Sequence, residues 1–359
     1  MRATFHQFFR PTITKMDEML AGALISYDAN VLLNVYRYSD ETQHGLVNVF
    51  KAFADRTFLA HQVALEYARN RAKTIVDQIT LCETAEKAFR SAVNEYIKPK
   101  NKQPFLSAES LAALDKVIEE IAVKRKALDS LISEDNYADL LLTLFESKIG
   151  TVPNKKEVDK LHSEAEDRYT DKIPPGYSDL KDKEKPKAYG DYIVWRQLMD
   201  LAKEKKKDFI FVTDDAKEDW RFKIGKKTIG PRHELLEEFH RETGQYVWFF
   251  TSESFLIATK NAGAAEIMDS VIKEVSENLN AQNSPFSSDK KLTIPNIEKK
   301  EMEETGLDAD PLILGEEIED KQEKPASSSM DESASPDKKT AVQDTKKSAV
   351  TNQEYGDDE

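Results

Sequence analysis

Near its N-terminus the chain contains the stretch Leu24-Ile25-Ser26-Tyr27-Asp28-Ala29-Asn30-Val31-Leu32-Leu33. Its first four residues predict a short buried strand that ends on one carboxylate, Asp28. In an open parallel sheet this position lies at the carboxyl edge, where ligands bind. Asn30 and the apolar residues after it predict the turn into a helix. The stretch therefore places one acid where a functional site is expected.

Strands and helices alternate in two further parts of the chain. Short apolar runs at residues 57–60, 208–213 and 246–250 predict more strands, and stretches with apolar residues at helical spacing lie near them. This alternation is typical of a parallel sheet covered by helices. We therefore predict an α/β fold with a central parallel sheet flanked by helices.

The chain is predicted to have three parts. Residues 1–260 form one domain, and a helical insertion at about residues 90–165 lies within it, because that block carries few β signals. Residues 261–280 form a C-terminal helix. Residues 281–359 are rich in Ser, Pro, Glu, Asp and Lys, which predicts a disordered acidic tail.

The formal net charge of −14 is unevenly distributed. Residues 281–359 hold 20 of the 66 acids but only 10 of the 52 bases, which leaves 46 acids against 42 bases in the rest of the chain. The predicted domain is therefore nearly balanced. The overall acidity is only weak evidence against a nucleic-acid partner.

Cysteine content and hydropathy indicate the compartment. Cys82 is the single cysteine, so a disulfide within one chain is excluded, which suits a reducing environment. The N-terminus lacks the apolar run of a signal peptide, and no window reaches the ~18 apolar residues of a membrane helix. We expect a cytoplasmic protein without a membrane partner.

Four acids follow or begin elements that meet at one sheet edge. Asp28 and Asp215 end strands, Glu66 lies in the second turn of a helix that follows a short strand, and Asp191 lies near the start of another helix. An acid near a helix start is often only a partner of the helix dipole. If the four converge, however, their repulsion requires a counter-cation.

Oxygen ligands of this kind suit Mg²⁺ or Mn²⁺. A divalent cation held there can activate water and stabilise charge on a phosphodiester, which points to hydrolysis of a nucleic-acid backbone. Zinc is not indicated, because the six histidines show no ligand spacing and Cys82 is alone. Asp214 and Asp219 lie beside Asp215 in the sequence and are further candidate ligands.

Polar and aromatic side chains near these acids are candidate contacts to substrate. Arg69 and Arg71 follow Glu66 by one turn, where they either form a solvated face or meet phosphates. A turn at Pro174-Pro175-Gly176 lies among tyrosines and cations, so it is either an ordinary solvated loop or a loop laid over nucleic acid. The candidate substrate contacts are Asn30, Arg69, Arg71, Arg168, Tyr177, Lys181 and Arg232.

The motifs around the acids resemble those of PIN-domain nucleases, and more closely those of the larger bacterial PIN-like family with a helical insertion between the second and third acids. The resemblance covers roughly residues 5–260. It rests on Tyr27-Asp28-Ala29-Asn30-Val31-Leu32-Leu33, Val63-Ala64-Leu65-Glu66, Gly190-Asp191-Tyr192-Ile193-Val194-Trp195, Thr213-Asp214-Asp215, the loop Ile173-Pro174-Pro175-Gly176-Tyr177 and the segment from Asp215 to Trp220.

This resemblance implies a Rossmann-like PIN fold and metal-dependent ribonuclease activity, usually on single-stranded RNA. Asp28, Glu66 and Asp191 match the first three acids of the family. The pattern Thr-x-Asp selects Asp215 as the fourth, and Asp214 and Asp219 are close enough to share its role. The long separation of Glu66 from Asp191 departs from small toxin-type PIN domains, so toxin behaviour is not carried over.

Other classes fit less well. A haloacid-dehalogenase-type phosphatase needs a second Asp at position 30, where this chain has Asn30, and a dinucleotide-binding domain needs a glycine-rich turn after the strand. The alternative that stays open is a catalytically silent PIN-like subunit that binds nucleic acid or regulates. A protein partner could bind the helical insertion or the tail. RNA is favoured over DNA as substrate, with endo or exo action open.

Overall fold

The computed structural model describes residues 1–97 and 106–282. The strands are β1 Leu24–Tyr27, β2 Phe209–Val212, β3 Arg221–Ile224, β4 Lys227–Pro231 and β5 Val247–Phe250. The helices are α1 Ile13–Gly22, α2 Ala29–Leu33, α3 Asp40–Ala52, α4 His61–Ala92, α5 Ala108–Ser130, α6 Asn136–Phe145, α7 Lys155–Thr170, α8 Gly190–Lys205, α9 His233–Thr243, α10 Ser252–Asn261 and α11 Asp269–Gln282. Short 3-10 turns occupy His6–Phe8, Asn34–Arg37, Ala54–Arg56, Glu146–Lys148, Tyr177–Lys181 and Lys187–Tyr189, and a π-helical turn occupies Val93–Ile97.

A three-stranded parallel sheet in the order β1-β2-β5 forms the centre of the domain. Every residue of these three strands is buried, because helices cover both faces, as is usual for parallel sheets. Tyr27 pairs with Val212, which pairs with Phe250, so the three strands end at the same level. The predicted α/β fold with a flanked central parallel sheet is confirmed.

Helices α2 and α4 lie near the carboxyl end of this sheet. α2 starts directly after Asp28, and α4 packs against both α2 and α8. The backbone N–H of Gln62 donates to Oε1 of Gln197 (3.0 Å), which joins the first turn of α4 to α8. The first turn of α4 is therefore held against the middle of α8.

The helical block is built on the long helix α4, along which α5 packs. The helical insertion at about residues 90–165 stays a prediction; in this block α4 continues to Ala92 and α7 ends at Thr170. Asp135 joins the block to the core, because Tyr36 donates to its Oδ2 (2.7 Å) and Arg71 forms an ion pair with the same oxygen.

The predicted strand at residues 57–60 is wrong. Thr57 forms one parallel bridge with Ile25, and Leu59 forms another with Ile149. The segment pairs with two different neighbours and then enters α4, so no continuous ladder forms along β1. An antiparallel hairpin of β3 and β4 was also not predicted, and Gly225 in its turn has a φ of +59°.

The prediction for the C-terminal tail falls almost wholly outside the described residues, whereas the prediction for the helix before it falls within them. The disordered tail, residues 281–359, lies outside them except for the end of α11, which reaches Gln282. The predicted C-terminal helix at 261–280 corresponds to α11, which begins later, at Asp269. In the part of the chain that the structure describes, no helix combines the length and hydropathy needed to cross a membrane.

Candidate functional site

Asp28 follows β1 directly and is half-buried at the sheet edge. The hydroxyl of Thr213, the residue after β2, donates to its Oδ2 (2.9 Å). The pKa of Asp28 is raised to about 7, chiefly by burial and further by the neighbouring charges of Asp191, Glu66 and Asp215, while the Thr213 hydrogen bond opposes the rise. Asp28 therefore sits among three other acids.

Glu66 lies on the second turn of α4, where Gln62 donates its side-chain amide to Oε1 (2.7 Å). Gly190, the first residue of α8, lies against the same oxygen, because a Cβ atom at position 190 would be only 2.6 Å from it. The lack of a side chain at Gly190 thus lets the carboxylate of Glu66 reach the start of α8, next to Asp191.

Asp191 lies in the first turn of α8, and the indole N–H of Trp220 donates to its Oδ2 (3.0 Å). Burial raises its pKa to about 7, with Asp179 and Asp215 adding to the rise. The ammonium of Lys217 and the Trp220 hydrogen bond oppose it. Two carboxyl groups of the site, Asp28 and Asp191, thus share the same unusual pKa.

Asp215 is fixed by a tight turn after β2. Its N–H donates to Oγ1 of Thr213 (3.2 Å), and its Oδ1 accepts from the N–H of Lys217 (2.7 Å). The buried guanidinium of Arg221 donates to the carbonyl oxygens of Thr213 (2.6 Å) and Asp215 (3.2 Å). Arg221 thereby holds the strand end on which the fourth acid is placed.

A lysine also lies within the cluster of acids. The Nζ of Lys217 is 2.9 Å from Oδ2 of Asp215, 2.6 Å from Oδ1 of Asp179 and 3.6 Å from Oδ2 of Asp191. Lys183 Nζ lies 2.5 Å from the other oxygen of Asp179, which is almost fully buried. These two lysines hold the pKa of Asp179 below its ordinary value despite its burial.

Asp214 and Asp219, the two further candidate ligands, have partners elsewhere. Asp214 accepts hydrogen bonds from the N–H and hydroxyl of Ser252 (2.7 and 2.6 Å), at the start of α10, and from Asn34 (3.3 Å). Asp219 is fully buried, and its Oδ2 accepts from the N–H groups of Gly176 (3.0 Å) and Ser178 (2.9 Å). These bonds favour Asp215 over either of them as the fourth acid.

Three of the candidate substrate arginines form ion pairs within the chain. Arg71 pairs with Asp135, Arg168 forms a two-pronged pair with Glu238 and also donates to the carbonyl of Pro174, and Arg232 pairs with Glu234. Glu238 also accepts from the indole of Trp195 (2.8 Å). The guanidinium of Arg168 therefore ties the loop to α9.

The remaining candidate substrate contacts are more accessible. Asn30 and Arg69 are exposed, and neither makes a side-chain hydrogen bond or ion pair within the described residues. Lys181 is exposed and lies 3.9 Å from Glu218. Tyr177 is half-buried, and burial raises the pKa of its hydroxyl against the opposing charge of Arg232. Of the seven candidates, Asn30, Arg69 and Lys181 are therefore the freest to meet a ligand.

The donor chemistry suits a divalent cation, since Asp28, Glu66, Asp191 and Asp215 offer only carboxylate oxygens. Burial and the charges of neighbouring acids raise the pKa values of Asp28 and Asp191, and a bound cation would oppose both effects. Among the described residues, however, no three acidic, histidine or cysteine side chains are arranged as a ready set of metal ligands. The residues fit a cation in charge and donor type but require side-chain adjustment around it.

Sequence reasoning missed four parts of this site: Gly190, Asp179, Lys217 and Trp220. A glycine directly before Asp191 and a lysine two residues after Asp215 were visible in the sequence, but neither spacing reveals a contact. Asp179 stands among lysines, which is also the pattern of a solvated loop. Its burial and its pairing with Lys217 follow only from the fold.

A family model described as a PIN-like domain matches residues 24–235. The match begins at β1, includes the helical block and extends past the turn that carries Asp215 and Lys217. No curated protein and no solved structure shows a significant match to the chain.

Proposed function

This chain belongs to the PIN-like domain family, and on that premise we propose that it is a metal-dependent nuclease that hydrolyses phosphodiester bonds, with single-stranded RNA as its favoured substrate. The observation that carries the proposal is the convergence of Asp28, Glu66, Asp191 and Asp215 at one edge of the sheet. Like charges brought together with partial burial are destabilising, so such a group is expected to have a cationic ligand.

These four carboxylates would hold Mg²⁺ or Mn²⁺. A bound divalent cation supplies a Lewis acid for a phosphoryl oxygen and lowers the pKa of coordinated water. Between them, Asp28 and Asp191 retain a share of protons near neutral pH, because both pKa values are about 7, and binding of a cation would release those protons.

Neighbouring side chains position the carboxylates for this role. Thr213 orients Asp28, Gln62 orients Glu66, and Trp220 orients Asp191, each through one hydrogen bond to a carboxylate oxygen. Such partners fix the direction of the ligand oxygens and are a usual feature of metal sites in proteins. Three of the four acids are thus supported by groups that come from different parts of the chain.

Substrate binding is assigned to exposed side chains near the acids. Arg69 follows Glu66 by one helical turn, and Asn30 follows Asp28 by two residues. Lys181 extends from the short turn after Tyr177. Cations that meet phosphates together with rings that stack on bases are the usual means of holding single-stranded nucleic acid.

The second candidate function is a catalytically silent PIN-like subunit that binds nucleic acid or regulates. Two observations favour it: Lys217 lies among the acids, and no described set of three ligands is arranged for a metal. In that case the ammonium would be the permanent counter-ion of the cluster, and no divalent cation would be needed.

Cleavage assays on the full chain separate the two functions. Single-stranded RNA and DNA of the same sequence are incubated with wild-type protein and Mg²⁺, Mn²⁺ or EDTA. We expect cleavage of RNA that requires metal and falls to background in Asp28→Asn, whose melting temperature without metal is not lowered. Asp17→Asn, an exposed acid of α1, is the matched control and should cleave like wild type.

The silent-subunit function predicts a different outcome. Wild-type protein would then bind RNA or DNA with the same affinity in EDTA and in Mn²⁺, and would cleave neither. Cleavage of DNA but not RNA would retain the nuclease and overturn the substrate assignment.

A further inference from the structure

Lys217 is held in place through both its side-chain ammonium and its backbone N–H. Its Nζ contacts Asp179, Asp191 and Asp215, while its backbone N–H donates to Oδ1 of Asp215 (2.7 Å). Asp215 therefore binds Lys217 through one oxygen to the backbone and through the other to the side chain. This double contact holds the ammonium against the acids, while the side chain remains 38% exposed.

The cations are distributed unequally across the acids. Asp179 has two lysine partners, and Asp215 has Lys217. Asp28 and Glu66 accept hydrogen bonds only from the neutral groups of Thr213 and Gln62, and within the described residues neither forms an ion pair. One side of the cluster is thus neutralised by the chain itself, and the other is not.

The position of the Lys217 ammonium limits where a metal ion could bind. It lies between the carboxylates of Asp191 and Asp215, which is where a cation shared by these two acids would act. A metal ion needs its ligand oxygens at about 2.0–2.6 Å, so it could not occupy that place together with Lys217. A cation on the side of Asp28 and Glu66 would not meet this obstacle.

We propose that Lys217 is a built-in counter-cation that fills one of the cation positions of the acidic cluster, so that the site takes a single divalent ion on the side of Asp28 and Glu66. The proposal rests on the proposed metal-dependent function. Lys217 acts here as a positioning residue: it holds Asp191 and Asp215 together when the divalent ion is absent and excludes a second ion when the first is bound.

The total charge of the acids and lysines in this cluster agrees with the binding of one divalent ion. Asp28, Glu66, Asp179, Asp191 and Asp215 carry five negative charges when ionised, and Lys183 and Lys217 reduce the total to three. One divalent ion leaves a single negative charge. Without Lys217 the total would be four negative charges, which two divalent ions would neutralise.

Binding of Mn²⁺ to the full-length, metal-stripped protein tests this, with stoichiometry measured by calorimetry. Wild type should bind one Mn²⁺. Lys217→Met, which removes the charge at similar length, should bind two, or bind the first about tenfold more tightly or better. Lys217→Arg keeps the charge and should bind one. Without metal, Lys217→Met should melt below wild type, and Mn²⁺ should raise its melting temperature more than that of wild type.

Two Mn²⁺ ions in wild type would overturn the proposal, and this measurement requires no variant to fold. Unchanged stoichiometry and affinity in folded Lys217→Met would overturn it as well. If the wild type binds two ions and still cleaves RNA in a metal-dependent way, the proposed function is retained and only the single-ion site is overturned. Absence of Mn²⁺ binding in wild type would overturn both the single-ion site and the proposed function.

Discussion

Thr213 donates its hydroxyl to Oδ2 of Asp28 (2.9 Å) across the ends of two neighbouring parallel strands. The register of the sheet places the two residues side by side, because Tyr27 pairs with Val212 immediately before them. The hydrogen bond favours the charged form of Asp28 and lowers its pKa against the effect of burial. The Thr213 hydroxyl thus lowers the pKa of Asp28, one of the four acids of the site.

Replacing Thr213 by Val should weaken divalent binding at neutral pH. The substitution keeps the shape of the side chain but removes the donor, so the carboxylate of Asp28 is less favoured. A net hydrogen-bond contribution of ~1 kcal/mol corresponds to about fivefold weaker Mn²⁺ binding. Calorimetry measures this, and Thr213→Ser, which retains the hydroxyl, should bind within about twofold of wild type. Equal loss in both variants would assign the effect to packing.

The metal-free protein should lose stability as the pH rises. The carboxyl of Asp28 has a pKa of about 7 in the folded state, against an ordinary value of 3.8. Between these values the folded state binds more protons than the unfolded state, so the free energy of unfolding falls as the pH rises from about 4 through about 7. Above that range the loss is complete.

Urea unfolding of metal-free wild type and Asp28→Asn from pH 4 to pH 8 measures this effect. The two proteins should be most similar in stability at pH 4, close to the ordinary carboxyl pKa of 3.8, where little of the loss has yet occurred. Asp28→Asn should become the more stable one by pH 8. Parallel curves across the whole range would show that Asp28 ionises normally in the folded protein.

Gly176→Ala should impair both folding and cleavage. Gly176 has a φ of +96°, and an added Cβ would overlap the hydroxyl of Tyr169 and lie 2.9 Å from Cβ of Asp191. The backbone conformation alone costs about 1–2 kcal/mol for a residue with a side chain, and the contacts add displacement of Asp191. Thermal melting and RNA cleavage rates measure the two effects.

Gly244→Ala is the control for Gly176→Ala. Gly244 also has a positive φ, +73°, but a Cβ there would meet nothing within 4 Å. It should therefore lower the melting temperature through backbone strain alone and leave the cleavage rate of the folded protein unchanged. Equal effects of the two variants on cleavage would argue against steric displacement of Asp191.

Arg168→Met should destabilise the protein rather than weaken RNA binding by the folded form. It leaves Glu238 without its guanidinium partner, and both side chains are less than one-fifth exposed. Breaking a buried pair costs about 3 kcal/mol, which lowers the melting temperature by roughly 6–12 °C in a domain of this size. Arg241→Met, at an exposed pair, should melt near wild type. Weaker RNA binding with unchanged melting would restore Arg168 as a substrate contact.

Arg69→Gln should weaken RNA binding through a lost phosphate contact. Arg69 is exposed and makes no ion pair within the described residues. Loss of one phosphate contact on a single strand should reduce the slope of log affinity against log salt by about 0.7. Fluorescence anisotropy over a salt series measures the slope. Arg90→Gln changes an exposed arginine farther along the same helix, paired with Glu86, and should leave the slope unchanged.

Local patterns in the sequence were sufficient for the fold class and for the positions of the acids on their elements. Apolar runs identified β1, β2 and β5, because strands buried on both faces must be apolar along their length. They failed at residues 57–60, where an apolar run bridges two different segments instead of forming a strand. The apolar run is present, but strand pairing depends on neighbouring segments that are distant in the sequence, so a local pattern cannot predict it.

The positions of Asp28, Glu66, Asp191 and Asp215 after strands or near helix starts of an α/β domain could be predicted from the amino-acid order alone, because each follows from a short-range hydrophobic pattern. Which charges neutralise one another depends instead on the folded chain. Lys217 meets Asp179 across 38 residues, and Arg168 meets Glu238 across 70. Ion pairs of this kind depend on distances between segments far apart in the chain, and those distances exist only after the hydrophobic core has assembled.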